Sequence, residues 1–331
     1  MNNEQMKKTA IKAGIFGLLS IAVMLQRAAT KHILITDAAG THVDNEGTSY
    51  SYNILIDQNA SKGLVGKLVI PLSKTVSSDD IVLEDRYIDH ELKIYIDSRE
   101  EGFYLNNAII TDLNILKSAV CITENDSGSV CLDFVLNDLY ASSSTLTENS
   151  TIEVEFSKPS EMYDHTVVFD PAGAEGYEIA SAIDVALELK EIAAKDENSN
   201  LKIYFTSLGT GAVTDEKKCE LIKETAADLV ISLNSKISGG QGVNNVSAYY
   251  NSQFFLRGLN NAEFADMIER NVATSMGAVA SGVYEADEDK LLGNIAVPAA
   301  RICVEYENGS DDKKVAKGLY EAIIQALYAE D

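Results

Sequence analysis

Short runs of alternating apolar and polar residues dominate the first half of the chain. SYNILID (51–57), KLVIPL (67–72), ELKIYID (91–97), SAVCIT (118–123), VCLDFVL (130–136) and TIEVEFS (151–157) each read as a strand. Clusters of Asp, Asn, Ser and Gly separate them, and no convincing helix interrupts them, so an all-β, sandwich-like unit is expected over 31–160. From residue 161 the pattern changes. Apolar runs at 167–170, 201–207, 229–234, 247–251 and 300–305 alternate with helical spacing at 178–194, 215–227, 261–276 and 313–329. That alternation predicts a layered α/β sheet with helices on both faces over 161–331.

The stretch HTVVFDPAGAEGYEIASAIDVALELK (165–190) organises this second unit. A buried strand breaks at Asp170-Pro171 and crosses a short Gly/Ala loop. A helix then opens at Glu178, with Ile179, Ile183, Val185, Ala186 and Leu189 along one face. Open α/β sheets bind ligands beyond the carboxyl ends of their strands. Three strands end in polar residues there, Asp170, Asn234 and Glu305, and with Glu178 they are expected to converge on one cleft.

The N-terminus carries Lys7, Lys8 and Lys12, followed by the apolar run AGIFGLLSIAVML (13–25). Residues 1–30 read as an apolar helix, a signal anchor that stays in the membrane. A cleaved signal peptide and a buried core helix are the other readings. With lysines before the run, the rest of the chain is expected outside the cytoplasm.

The formal charge of −24, with no basic stripe, argues against nucleic acid as a partner. Cys121, Cys131, Cys219 and Cys303 form no C-x-x-C pair. Cys121 and Cys131 flank the turn ENDSG (124–128). A cross-strand disulfide there is open, and two unpaired thiols are the plainer expectation. His32, His42 and His90 stand alone, with nothing at metal-ligand spacing. No G-x-S-x-G elbow occurs. Neither Cys219 nor Cys303 has a histidine available in its half, and GGQG (239–242) precedes no G-K-[ST] and reads as a connection.

Four segments in order give the second unit a resemblance. VVFDPAG (167–173) resembles the opening strand and histidine-bearing loop of zinc-dependent N-acetylmuramoyl-L-alanine amidases of the amidase-3 type. EIASAIDVALELK (178–190) resembles their helix whose first Glu binds zinc, ADLVISLNSK (227–236) their A-D-L-F-I-S-I-H-A-N strand, and VPAARICVE (297–305) the strand carrying their assisting Glu. By this resemblance Glu178 falls on a zinc-ligand position and Glu305 on the catalytic one. Gly173 and Asn234 stand where the two histidine ligands belong. The succession GKLVIPL, a strand pair around an acidic turn and TIEVEFSKPSE resembles an AMIN domain, a β-sandwich that localises wall amidases.

The departures fall on the chemistry. No histidine follows His165, and His165 begins its strand about five residues (~16 Å) from the site end. The loop from Asp170 to Glu178 is shorter than in the family, and TSLGTGAV (206–213) stands where an arginine usually follows the second strand. Without zinc, such a site loses both its Lewis acid and the means to acidify its water. Glu178 then reads as a helix-opening acid and Asn234 as a turn residue after its strand. Oxygen-only ligation by Glu178, Asn234, Asp170 and Glu305 suits calcium or magnesium better than zinc.

The resemblance therefore implies a membrane-anchored, extracytoplasmic amidase homologue that has lost catalysis, with no cofactor. It would bind peptidoglycan or a cell-wall hydrolase and touch the membrane through its N-terminal helix. The alternatives are an active amidase with a divergent metal site, holding zinc and cleaving the lactyl-peptide amide, and a structural envelope protein whose cleft has filled in.

Overall fold

The computed structural model describes residues 31–32, 35–37, 49–58, 66–73, 76–97, 102–124, 129–174, 176–196, 198–209, 213–238, 244–253, 258–307 and 311–328. The apolar N-terminal segment, His42, most of the ENDSG turn and the GGQG connection lie outside these residues. Among the described residues no helix is long and apolar enough to cross a membrane.

The first half contains β1 (Lys31–His32), β2 (Ile35–Asp37), β3 (Ser49–Asn53), β4 (Ile56–Asp57), β5 (Lys67–Pro71), β6 (Ile81–Arg86) and β7 (Glu91–Ile96). It continues with α1 (Phe103–Asn106, one turn), β8 (Ile109–Thr111), β9 (Leu116–Glu124), β10 (Val130–Leu136), β11 (Ala141–Leu146), β12 (Thr151–Ser157) and the short α2 (Pro159–Met162). Two six-stranded sheets form, ordered β1-β11-β12-β5-β8-β4 and β2-β6-β7-β10-β9-β3. Alternate residues from both, including Leu68, Ile70, Ile152 and Val154 from one and Leu83, Ile94, Leu132 and Phe134 from the other, share one core. The expected sandwich is therefore present.

The register settles the cysteine pair. Cys131 lies opposite Ile122, and Cys121 opposite Leu132, so the two thiols leave opposite faces of the β9–β10 ribbon. Both are free. A cross-strand disulfide is thereby excluded, and burial pushes the Cys131 thiol up to about 12.

The second half contains β13 (His165–Ala172), α3 (Ile179–Lys195), β14 (Leu201–Phe205), α4 (Asp215–Glu224), β15 (Leu229–Ile237) and β16 (Asn245–Tyr250). After these come α5 (Asn261–Met276), β17 (Val279–Glu285), β18 (Ala299–Tyr306) and α6 (Asp312–Tyr328). The third sheet is ordered β14-β13-β15-β18-β16-β17. Its first four strands are mutually parallel, and β16 runs against β18. The expected break at Asp170-Pro171 does not occur, because β13 continues to Ala172. Pairing with β14 ends at Phe169, so Pro171 needs no ladder bond on that side and keeps only its β15 neighbour, Leu233.

Helices cover both faces of this sheet. On one, Ser181 of α3 meets Ser235 at 2.7 Å and Tyr306 at 3.0 Å, and α5 reaches β17 through Glu269, which accepts from the Gly282 N–H. On the other, α4 sends Lys218 to Asp170. α5 starts at a reciprocal capping box between Asn260 and Glu263 and stops at Gly277 in the left-handed region, φ 63°.

The two halves meet through polar contacts around residues 87–90. The Tyr87 hydroxyl donates to the Phe205 carbonyl and accepts from the Phe205 N–H, both at 2.8 Å. His90, in the left-handed region at φ 56°, places Nε2 2.8 Å from Glu224, and Lys217 reaches Asp89 at 3.2 Å. His90 is thus a satisfied histidine. Tyr87→Phe removes a hydroxyl and strands a buried backbone N–H and C=O. It is expected to lower stability by about 1–3 kcal/mol in denaturant titration, with secondary structure unchanged.

Candidate functional site

Strand register lays out the sheet face that α4 only partly covers. One row runs Asp170, Ser232, Arg301, Tyr249 and Tyr284 across β13, β15, β18, β16 and β17. The next, two residues nearer the carboxyl ends of the parallel strands, is Ala172, Asn234, Cys303 and Ser247. At the rim stand Lys236, Glu305, Asn245 and Val279. Period-two alternation puts all of these on one side.

Asp170, Asn234 and Glu305 do share this face, but they do not form a common cleft. Asp170 is sealed in the interior. Its carboxylate accepts from Thr206 at 2.6 Å, Ser232 at 3.0 Å and Lys218 at 2.9–3.1 Å. Each of its lone pairs is directed at a structural partner, so it is not available to a ligand.

Asn234 is inside β15, not in a turn after it, and is only 3% exposed. Its amide donates to the Cys303 sulfur at 3.6 Å, while Oδ1 has no partner among the described residues. Tyr177, from the loop ahead of α3, also interacts with the same thiol. Burial raises the Cys303 thiol, and the contacts from Asn234 and Tyr177 oppose that shift without cancelling it. A thiol held in its neutral form is a poor nucleophile and a poor metal ligand.

Glu178 is the N-cap of α3, not its first helical residue. Its side chain makes no capping bond and faces solvent, while its N–H bonds Ser235 O at 3.2 Å. Gly173 follows β13 immediately, and a Cβ there would stand 3.4 Å from the Ile179 Cβ at the start of α3. A side chain at 173 would therefore be aimed at the helix, whereas Asn234 is aimed at Cys303 on the other side of β15. Glu305 is part-exposed at the rim, with Lys236 at 4.0 Å. His165 is where its sequence position puts it, 3.3 Å from Asp228 and edge-on to Tyr328 at the far end of β13.

These residues do not fit zinc. One position offers no donor, one offers an amide whose N–H₂ is turned to sulfur, and the carboxylate is on an exposed helix cap. Among the described residues, no three of His, Cys, Asp and Glu are grouped to hold a metal ion. Sequence reasoning missed Tyr177 and the inward role of Cys303. The available signal was parity, since Cys303 is two residues before Glu305 and shares its face.

No protein-family model matches the sequence, and no curated protein matches it either. Solved structures similar to this chain are N-acetylmuramoyl-L-alanine amidases, matched over about half its length. The catalytic domain of CwlV from Bacillus (Paenibacillus) polymyxa var. colistinus is 18% identical, with 50% of this chain and 99% of that chain covered and a TM-score of 0.42. The amidase from Clostridium difficile 630 is 15% identical, covering 50% and 98% with a TM-score of 0.43. The CwlD amidase from Clostridioides difficile, in complex with the GerS lipoprotein, is 14% identical, covering 50% and 100% with a TM-score of 0.39.

Proposed function

We propose that this chain is a non-catalytic homologue of peptidoglycan amidases that binds peptidoglycan and regulates wall hydrolysis from the outer side of the membrane. One observation carries the reading. The four amidase-like segments lie on β13, the start of α3, β15 and β18, yet the histidine positions hold Gly173 and an Asn234 whose amide donates to Cys303. The strand framework of such a site is kept while its donor set is replaced by a packed polar cluster. Residues 1–30 would serve as the signal anchor, and the sandwich, as an AMIN-like unit, would add a second contact with the wall.

The reading predicts binding without cleavage. Incubated with insoluble peptidoglycan, the purified chain is expected to sediment with the wall, while mass spectrometry of the supernatant finds no released stem peptide. Peptide release that depends on Glu305 would instead establish an active amidase. Failure to sediment would leave the structural role of a filled cleft.

A further inference from the structure

The row that begins at the buried Asp170 ends, at β17, the edge strand among the described residues, in two tyrosines. Tyr249 and Tyr284 are direct register partners with ring centroids 5.6 Å apart and planes tilted by 34°. Tyr284 is 47% exposed. α5 packs on the opposite face of this wing, through Glu269 and the Gly282 N–H, so the rings project from the side it leaves open.

The pair is held by a device in the backbone. The β16–β17 ladder shifts register between Val246 and Ala248, and in that bulge Gly282 takes φ +119°. A Cβ at Gly282 would stand 3.1 Å from the Tyr284 hydroxyl and 3.3 Å from Cζ. The ring therefore folds back over the glycine, and its hydroxyl donates to the Ser281 carbonyl at 2.7 Å. A bulge that re-aims one side chain, with a glycine to make room for it, fixes Tyr284 against Tyr249.

The surroundings define the ligand by charge. In a chain of net charge −24, every formal charge in these three rows is matched: Asp170 by Lys218, Arg301 by Asp289 and Glu305 by Lys236. Beside the tyrosines, Ser247 and Asn245 are neutral and partly exposed, Asn245 accepting from the Ser281 hydroxyl through Oδ1 and keeping its N–H₂ for a ligand. A neutral surface with two fixed aromatic faces suits neither a polyanion nor a basic peptide. It suits a ligand with apolar ring faces and hydroxyl or amide edges.

We infer that Tyr249 and Tyr284 form a stacking platform for an uncharged glycan strand, the pyranose C–H faces lying on the rings and the N-acetyl groups meeting Asn245 and Ser247. This rests on the wall-binding reading above and names the part of the wall that is held.

The test uses the full chain and two probes, a β-1,4-linked N-acetylglucosamine hexamer and insoluble peptidoglycan. Titration of the hexamer, followed calorimetrically, is expected to show binding that weakens about tenfold or more in the Tyr249→Ala, Tyr284→Ala double variant and persists in Tyr284→Phe, which keeps the ring. The unfolding midpoint of each variant is measured alongside. Should the double variant misfold, competition in the wild-type chain decides, because excess hexamer is expected to release it from the wall. Wall binding that neither the hexamer nor the tyrosine substitutions disturb would overturn the platform and leave the wall-binding reading standing. Absence of binding to both probes would overturn both.

Discussion

Asp170→Ala is expected to destabilise the second half by about 3–5 kcal/mol, the largest effect of any single substitution in this site region. The carboxylate is 1% exposed and Lys218 only 14%. Removing the carboxylate leaves an ammonium with no counter-charge in the interior and frees the Thr206 and Ser232 hydroxyls, which both donate to it. The penalty comes from the groups left behind, more than from the attraction lost. Asp170→Ala combined with Lys218→Met should therefore recover much of the stability, since burying neither charge avoids the desolvation cost. Equilibrium unfolding of the single and double variants checks this. A single variant within about 0.5 kcal/mol of wild type would show that Lys218 escapes to solvent at little cost.

The second large effect is expected at Gly318, where α5 and α6 cross. A Cβ there would fall 2.6 Å from the Val272 Cα and 2.8 Å from the Asn271 carbonyl oxygen. Both are backbone atoms, so no side-chain rotation relieves the overlap and the helices must separate. Two effects compete in Gly318→Ala. Helix propensity favours alanine by about 1 kcal/mol, while forcing atoms into a packed contact costs about 1–3 kcal/mol and sometimes more. Because the clash is with backbone, the overlap is expected to win, giving net destabilisation for Ala and a greater loss for Gly318→Val. Thermal unfolding midpoints should fall in the order Gly, Ala, Val. A rise for Ala would mean that the crossing is looser than its atoms indicate.

Strands buried on at least one face were legible because their apolar residues recur every second position, as in TIEVEFS, which forms β12 over Thr151–Ser157 as expected. Others were not, three of them for a plain reason. β6 carries Glu84, Asp85 and Arg86 in succession, β11 is ASSSTL, and β17 is an exposed edge with a glycine bulge. In each the ladder partner supplies what the side chains do not advertise. The α5 helix was read to its ends because its caps are local, whereas α4 stops at Glu224, short of 227, where Thr225 turns its hydroxyl back on the Leu221 carbonyl.

The candidate site was legible in outline and not in contact. Parity alone puts Asp170, Asn234 and Glu305 on one face, but convergence also depends on the element that packs over them. Lys218 on α4 removes Asp170 from the surface, and no feature of either residue in sequence declares the partnership. The polar run NSKI suggests a turn at Asn234, yet β15 continues through it, held by pairing with β18 as far as Tyr306. Tyr177, one residue before the predicted helix start at Glu178, gave no signal. Its role lies in its contact with Cys303, which is distant in sequence.

In the function proposed above, Gly173, Glu178 and Asn234 hold no zinc. Metal content tests it most directly: the purified chain is loaded with excess zinc, dialysed and analysed by mass spectrometry of the metal. Far less than one zinc per chain is expected, unchanged by Asn234→Ala or Glu178→Ala. One zinc retained per chain, lost on either substitution, would contradict it.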